Sequence, residues 1–393
     1  MGEELKKSNE KMDSPNNLNN QKKAKKTIKI VLSGLDNAGK TSMLVGFKRM
    51  YGYEDEVHNL KPTLRIDYYR RDFLNLRLNF FDMGGQSKFR EQYLRREMYF
   101  ESIDLLIYLV DIQDEMRFSE SIKYLSAVLG VLEKVGYVKK LPIYICFSKA
   151  DYDLVRENPE EYESRKGMVK DLLRKSFPEY NFDFYSTSIY HLYTIIHMIS
   201  NGLRKYLEGY EKIQDALVEY GNRTEIVQAI LFDHTGLVIS ETINPKIKEH
   251  ERNAGNAGNE GNAGNAGNEG NEGNEKGMFD FENKIDRIIS GHLEFFGQLE
   301  DEELEITSIR GVDGEFMNIC YQFHLYDDMN LSEEQKMMII EEQKSGNPYY
   351  ANYYFSIVST LEKSVLAENQ IPGMISQLQE YFKGILAGTS GYL

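Results

Sequence analysis

The sequence predicts an α/β protein: a mostly parallel six-stranded sheet with helices on both faces, followed by a smaller α+β unit. Three observations carry this. Residues 27–207 alternate short apolar runs with amphipathic stretches, the strand–helix rhythm of a parallel sheet covered on both sides. A glycine loop, Gly34-Leu35-Asp36-Asn37-Ala38-Gly39-Lys40-Thr41-Ser42, joins the apolar run Ile28 to Leu32 to an amphipathic segment, Met43 to Met50. Beyond residue 208 the order changes to helix, hairpin, helix, three strands and helix, with too little alternation for a second parallel sheet.

Size agrees with more than one unit. The chain has 393 residues, and one core rarely serves so many. Apolar residues make up 41% and aromatic residues 12%, enough for packed interiors. The formal net charge is −15, which argues against nucleic acid as a partner, because phosphate backbones are held by clustered Lys and Arg. The two cysteines, Cys146 and Cys320, lie in apolar strand-like runs and read as buried thiols of a cytoplasmic protein. No apolar run approaches the ~18 residues of a membrane helix. Gly2 follows Met1, but Lys6 stands where a myristoylation signal has Ser or Thr.

Residues 1–26 are polar and end in Lys22-Lys23-Ala24-Lys25-Lys26, a composition expected of a disordered tail. Strands are expected at 28–33, 103–110 and 142–147, with a hairpin from 64–72 and 75–82. Helices are expected at 40–51, 117–135, 159–176 and 188–207. In such a sheet, ligands sit at the carboxyl ends of the strands.

The glycine loop is the first strand end. Its backbone N–H groups and the following helix N-terminus form a nest for a phosphate. Gly34, Asp36, Asn37, Ala38, Gly39 and Ser42 would build that nest, Lys40 would reach the β- and γ-phosphates, and the Thr41 hydroxyl would bind Mg²⁺. The next strand end is Asp82-Met83-Gly84-Gly85-Gln86. Asp82 is placed to hold Mg²⁺ through water, Gly85 to offer its N–H to a γ-phosphate, and Gln86 to orient an attacking water. Upstream, Thr63 would add a second hydroxyl to the metal when a γ-phosphate is present. The strand 142–147 runs into Ser148-Lys149-Ala150-Asp151, where a carboxylate can accept from guanine N1 and N2 and the Lys149 stem can lie over the base. The last strand ends in Ser186-Thr187-Ser188, whose backbone would meet guanine O6.

Residues 27–207 resemble a Ras-superfamily small GTPase. The glycine loop, the Asp-x-Gly-Gly-Gln motif and the nineteen-residue step from Thr63 to Asp82 resemble the Arf branch. The run Gly84-Gly85-Gln86-Ser87-Lys88-Phe89-Arg90-Glu91-Gln92-Tyr93 is similar to the Rag pattern, as is Thr187-Ser188-Ile189-Tyr190. The resemblance implies GTP and GDP binding, Mg²⁺, slow hydrolysis with Gln86, Lys40 and Thr63 in catalytic positions, and two moving switch loops. It also implies regulators of GAP and GEF type. Two positions depart from the pattern. Ser148 replaces the usual Asn, whose tie to the phosphate loop is worth about one hydrogen bond, ~1 kcal/mol; Rag proteins share this loss. Arg65 stands where Arf proteins have Gly two residues after the switch Thr, which disfavours Arf-like sliding of the hairpin.

In residues 208–393 a helix is expected from Tyr206 to Tyr220, then a hairpin, Glu225 to Asp233 and Leu237 to Ile243, turning at His234-Thr235-Gly236. A low-complexity loop, 253–277, repeats Asn-Ala-Gly and Asn-Glu-Gly triplets with nothing to pack. A helix, 279–298, and strands at 303–310, 315–326 and 351–360 follow, with a polar helical insert at 331–345. The final helix, 362–386, is expected to break near Pro372. This order resembles a roadblock domain, with a longin domain as neighbour, and implies a homodimer or a heterodimer with a related GTPase. Membrane recruitment would be indirect, through partners. The competing readings are a nucleotide-binding scaffold without turnover and an ATP-dependent P-loop enzyme; Asp151 after Lys149 speaks against the latter.

Overall fold

The computed structural model describes residues 25–49, 52–136, 141–244, 291–292, 308–314, 316–326, 333–344 and 347–387. The first unit contains β1 (Lys26–Gly34), α1 (Lys40–Arg49), the single turn α2 (Glu54–His58), β2 (Ile66–Phe73), β3 (Leu76–Met83) and α3 (Ser87–Leu94). It continues with β4 (Leu105–Asp111), α4 (Phe118–Lys134), β5 (Ile143–Ser148), α5 (Pro159–Ser176), β6 (Asp183–Thr187) and α6 (Leu192–Leu203). Its sheet has the order β2-β3-β1-β4-β5-β6. Every pair is parallel except β2 with β3. The expected six-stranded, mostly parallel sheet is therefore present.

The near-continuous apolar runs of β1, β4 and β5 follow from burial on both faces. In β4, Leu105, Ile107 and Leu109 enter one apolar cluster, shared with residues of α1 and α6. Leu106, Tyr108 and Val110 enter the other, with residues of α4 and α5. Successive side chains of a strand point to opposite faces, so one run feeds two cores and fixes the strand ends between them.

The second unit contains α7 (Tyr210–Thr224), β7 (Gln228–Asp233), β8 (Val238–Ile243), β9 (Ser308–Asp313), β10 (Phe316–Phe323), α8 (Glu333–Lys344), β11 (Tyr353–Thr360) and α9 (Ser364–Ala387). Its five strands form one antiparallel sheet in the order β8-β7-β11-β10-β9. The hairpin turn is fixed by Asp233, whose Oδ1 accepts from Thr235 N, Thr235 Oγ1 and Leu237 N, and by Gly236 at φ 76°. The two units share one apolar cluster, running from Ile196 and Leu203 through Leu217 to Ile230 and Phe355.

Several boundaries differ from expectation. Lys25 and Lys26 are not part of a solvated tail: Lys26 opens β1, and Lys25 Nζ lies 2.9 Å from Asp72 Oδ2. Residues 1–24 lie outside the described residues. The helix expected at 188–207 begins at Leu192, because Ser188 and His191 first close a tight bridge. The helix expected at Tyr206 starts at Tyr210, after Gly209 reverses the chain at φ 72°. Helix α3 has no counterpart in the sequence reading; it buries only Phe89 and Tyr93, with Leu94 half-buried beside them. The final helix does not break at Pro372. Proline in a helix interior costs about 3 kcal/mol, and here buried Ile371, Met374, Leu378 and Phe382 hold the helix on the sheet across it. Residues 303–307 of the strand expected at 303–310 lie outside the described residues, and the described part runs Ser308–Asp313. The triplet loop 253–277 and most of the helix expected at 279–298 lie outside the described residues, with Gly291 and His292 helical.

Candidate functional site

The carboxyl ends of β1, β3, β4, β5 and β6 meet on one side of the sheet. β1 delivers the glycine loop. Gly34 takes φ 141°, and a Cβ there would collide with the Leu109 carbonyl of β4. Asn37 and Gly39 take φ 62° and 80°, so the loop turns back and α1 starts with its N–H groups facing inward. Lys40 lies under this loop, 5% exposed, donating to the carbonyls of Gly34 (3.2 Å) and Leu35 (2.6 Å). Burial pulls its ammonium down to about 8, with Asp82 and Asp36 pulling the other way. A phosphate in the nest would supply the counter-charge that this buried cation lacks.

Three side chains from separate segments converge beside it. Thr41 Oγ1 lies 2.6 Å from Thr63 Oγ1 and donates to Asp82 Oδ2 at 2.5 Å. Thr63 Oγ1 is 3.3 Å from the same carboxylate oxygen. Burial pushes the Asp82 carboxyl up, opposed by Thr41 and Lys40. Its other oxygen, Oδ1, is buried with no hydrogen-bond partner among the described residues. Two hydroxyls and one carboxylate with an orphaned buried oxygen suit Mg²⁺, which takes oxygen donors and keeps several waters and phosphate oxygens. Among the described residues no group of three or more His, Cys, Asp or Glu could hold a metal by itself.

Above the loop lies Gly84-Gly85-Gln86. A Cβ at Gly85 would collide with the backbone of Leu35 and Asp36, and one at Gly84 with the carbonyls of Thr63 and Arg65. Both glycines are thus required by close approach. Gly84 N donates to the Arg65 carbonyl at 2.8 Å, and the Tyr93 hydroxyl donates to the same carbonyl. Arg65 itself takes φ 76°, a geometry that favours the Gly it replaces. The cleft so formed has a volume of about 300 Å³ and is walled by Asp36 to Ser42, Leu60 to Thr63, Gly85, Gln86 and Lys149.

At its far end the sequence-predicted residues are arranged differently. Lys149, at φ 59°, walls the cleft but sends Nζ to Asp111 Oδ2 at 2.6 Å. Asp151 accepts from Ser188 Oγ (2.5 Å) and from Gln113 Nε2 (3.1 Å). Ser148 is buried and donates to the Val110 carbonyl at 3.1 Å. Ser186 and Thr187 are turned away from the cleft: the Tyr162 hydroxyl reaches Ser186 Oγ, and Thr187 Oγ1 meets Cys146 Sγ at 3.0 Å. The Ser188 N–H is committed to Thr194 Oγ1 at 3.2 Å. Sequence reasoning missed Asp111 and Gln113, which hold the two base-loop residues. Asp111 ends β4 and Gln113 follows it, and the strand-end rule applied to that strand would have found them. It also missed Arg117, which donates to the Asp36 carbonyl (3.1 Å) and to Asp36 Oδ1 (2.7 Å).

Residues 15–175 match the model of the ADP-ribosylation factor family. Over 148 residues the chain is 34% identical to ADP-ribosylation factor-like protein 3 of Caenorhabditis elegans, spanning 37% of this chain and 72% of that protein. The chain belongs to the ADP-ribosylation factor family. It is therefore a GTP-binding switch of the GTPase class, and family membership implies GTP, GDP and Mg²⁺ as its ligands. Among solved structures it is similar to the Arl6 BBS3 small GTPase of Trypanosoma brucei with bound GppNp, at 20% identity and TM-score 0.36, covering 46% of this chain and 96% of that one. The GTPase unit of this ADP-ribosylation factor family member carries a five-stranded antiparallel unit behind it. Among the described residues no helix is long and apolar enough to cross a membrane, and both cysteines are free and buried.

Proposed function

We propose that the chain is a Rag-like GTP switch that hydrolyses slowly by itself, is read by partners according to its nucleotide, and pairs with a second GTPase through its C-terminal unit. The observation that carries this reading is the convergence of Thr41, Thr63 and Asp82 on one point beside buried Lys40. Thr63 arrives from a loop and Asp82 from a strand, so their meeting depends on a folded-over switch. Mg²⁺, when bound, would neutralise charge on the β- and γ-phosphates. Thr41, Thr63 and Asp82 would hold it, the loop N–H groups and Lys40 would hold the phosphates, and Gly85 would meet the γ-phosphate. Asp151, Lys149 and Ser186 to Ser188 would receive guanine after local rearrangement. Gln86 walls the cleft at the start of α3, where its amide would orient water. Without a cationic group from a partner, such a site turns over slowly, and GAP- and GEF-type regulators are expected.

The dimerisation reading rests on sheet edges. β8 is backed by α7, where Gln214 Nε2 donates to the Glu241 carbonyl at 2.9 Å. β9, at the other edge, has a single neighbour among the described residues, and Val312 on it is 66% exposed. Unpaired edges recruit strands. The apolar strand β7 lies inside the sheet, paired with both β8 and β11, and so serves the fold rather than the interface. The roadblock-like order of elements supports the same reading.

A scaffold without turnover is the second reading; it is favoured by the base loop, where both Asp151 oxygens are already bonded within the chain. Single-turnover hydrolysis by the full chain separates the two. The switch reading expects slow release of phosphate from bound GTP that Gln86→Leu slows further by about a hundredfold, on the scale of one lost catalytic group. No phosphate release from the parent chain would favour the scaffold.

A further inference from the structure

Asp36 is the one acidic residue lining the cleft among the described residues. It lies at the switch end, since Gly85 packs on its backbone. An unneutralised carboxylate at this end of the cleft would repel the charge that a third phosphate adds. Asp36 does not stand alone. The Arg117 guanidinium, at the entrance of α4, spans Asp36 with two bonds, one to Oδ1 at 2.7 Å and one to the carbonyl at 3.1 Å. Its Nε turns to Glu120 Oε2 at 3.2 Å. Glu120 in turn accepts from Arg90 Nη2 at 2.7 Å, and Arg90 belongs to α3, next to Gln86. Burial would raise the Asp36 carboxyl, but the Arg117 contacts outweigh it and the net shift is downward. Glu120 is likewise held down, first by Arg90 and then by Arg117.

We propose that Arg117 is a positioning residue for the terminal phosphate: by holding and neutralising Asp36 it lets the cleft accept a nucleoside triphosphate as readily as a diphosphate. The inference rests on the GTP/GDP reading above. Lys cannot replace the two-pronged grip, because one ammonium cannot span the carboxylate and the carbonyl in the same planar geometry. An ordinary surface ion pair would behave otherwise: its loss would change stability a little and both nucleotide affinities alike.

The experiment is a titration of the full-length protein, with Mg²⁺, by GDP and by a non-hydrolysable GTP analogue. Arg117→Ala should lower the ratio of triphosphate to diphosphate affinity by about tenfold, the scale of one partly screened charge beside a phosphate. Arg117→Lys should fall between. Asp36→Asn in the Arg117→Ala background should restore the ratio, and Asp36→Asn alone should raise it. At ~1 M salt, where the screening length is about 3 Å, the Arg117→Ala effect should shrink. A ratio unmoved by Arg117→Ala, an equal loss for both nucleotides, or failure of Asp36→Asn to restore it would overturn the proposal. A parent chain that binds neither nucleotide would instead overturn the function on which it rests.

Discussion

The two ends of the nucleotide cleft are held in opposite ways. At the phosphate end, groups from α1, the loop before β2, and β3 crowd one another: Thr41, Thr63 and Asp82 lie within 3.3 Å, and Asp82 keeps an unpaired buried oxygen. At the base end, Lys149 and Asp151 are engaged by Asp111, Gln113 and Ser188. The first end is short of counter-charge, whereas the second satisfies itself internally. The base end is also tied to the rest of the protein. Helix α6 starts just past Ser188; Tyr193 and His197 along it, and Arg204 just past its end, all reach Glu241 of β8, at 2.6, 2.6 and 2.7 Å. Ligand charge should therefore matter most at one end, and the second unit at the other.

The largest effect is expected at Lys40. Lys40→Ala should weaken GDP and GTP binding by at least about a hundredfold, because a buried charge facing phosphate is worth several kcal/mol. The same residue gives a pH signature. In the free protein its ammonium is held down to about 8, below the ordinary 10.5. Above that pH, binding must take up a proton, so affinity should be flat below about pH 8 and decline above it. The same shift makes the nucleotide-free fold gain stability as pH rises from about 8 towards 10.5, since the unfolded chain then holds the extra proton. Isothermal titration from pH 6 to 9.5 reads the affinity arm. A flat profile would mean that Lys40 is not the group under the phosphate.

Next in size is Asp151→Asn. It should lower guanine nucleotide affinity by about tenfold to a hundredfold and shift preference towards xanthine, since the amide no longer accepts from two guanine donors. Competition binding with xanthine nucleotides checks this; an unchanged preference would leave Asp151 as a purely internal partner of Gln113 and Ser188.

Glu241 probes the tie to the second unit. Glu241→Gln should cost about 2 kcal/mol of stability, less than a fully buried ion pair because its partners are a quarter to a third exposed. Burial would raise its carboxyl, but His197, Arg204 and Tyr193 bring it down to about 2 from 4.5. Its contribution is therefore fully present above about pH 4.5 and lost as pH falls towards 2. Denaturation of parent and variant should converge across that window. Parallel curves throughout would break the link between α6 and β8.

The smallest change is Ser148→Asn, expected to tighten both nucleotides by about fivefold, near 1 kcal/mol, by adding a tie from the base loop to the glycine loop. Ser148 is suitably placed, with its Cβ 3.9 Å from where a Cβ of Gly39 would stand. Dissociation rates of bound GDP would report it, and a faster rate would show that the buried pocket cannot take the larger side chain.

The contrast between the two ends also explains what the sequence could and could not reveal. The phosphate end was legible because it is built from contiguous residues with steric requirements: Gly34, Gly39, Gly84 and Gly85 each stand where a Cβ or an ordinary φ would fail. The parallel sheet was legible because β1, β4 and β5 are apolar on both faces. The partners of Lys149 and Asp151 were not, because Asp111 and Gln113 lie 38 residues from them and look like any polar turn. Arg117 is 81 residues from Asp36, and only the fold brings them together. Helix α9 was misread at Pro372 because local propensity was weighed without the apolar face that holds it. The second unit's strands were anticipated along the chain, but their order in the sheet and the union with α6 through Glu241 have no local signature at all.

The account turns on guanine nucleotide and Mg²⁺ sharing this cleft. The most direct measurement is competition binding to the full-length protein, with GDP, GTP and ATP titrated with Mg²⁺ and with the metal chelated. Tight binding of GDP and GTP, weaker without Mg²⁺ and barely affected by ATP, is the predicted result. Equal competition by ATP, or affinity indifferent to Mg²⁺, would contradict it.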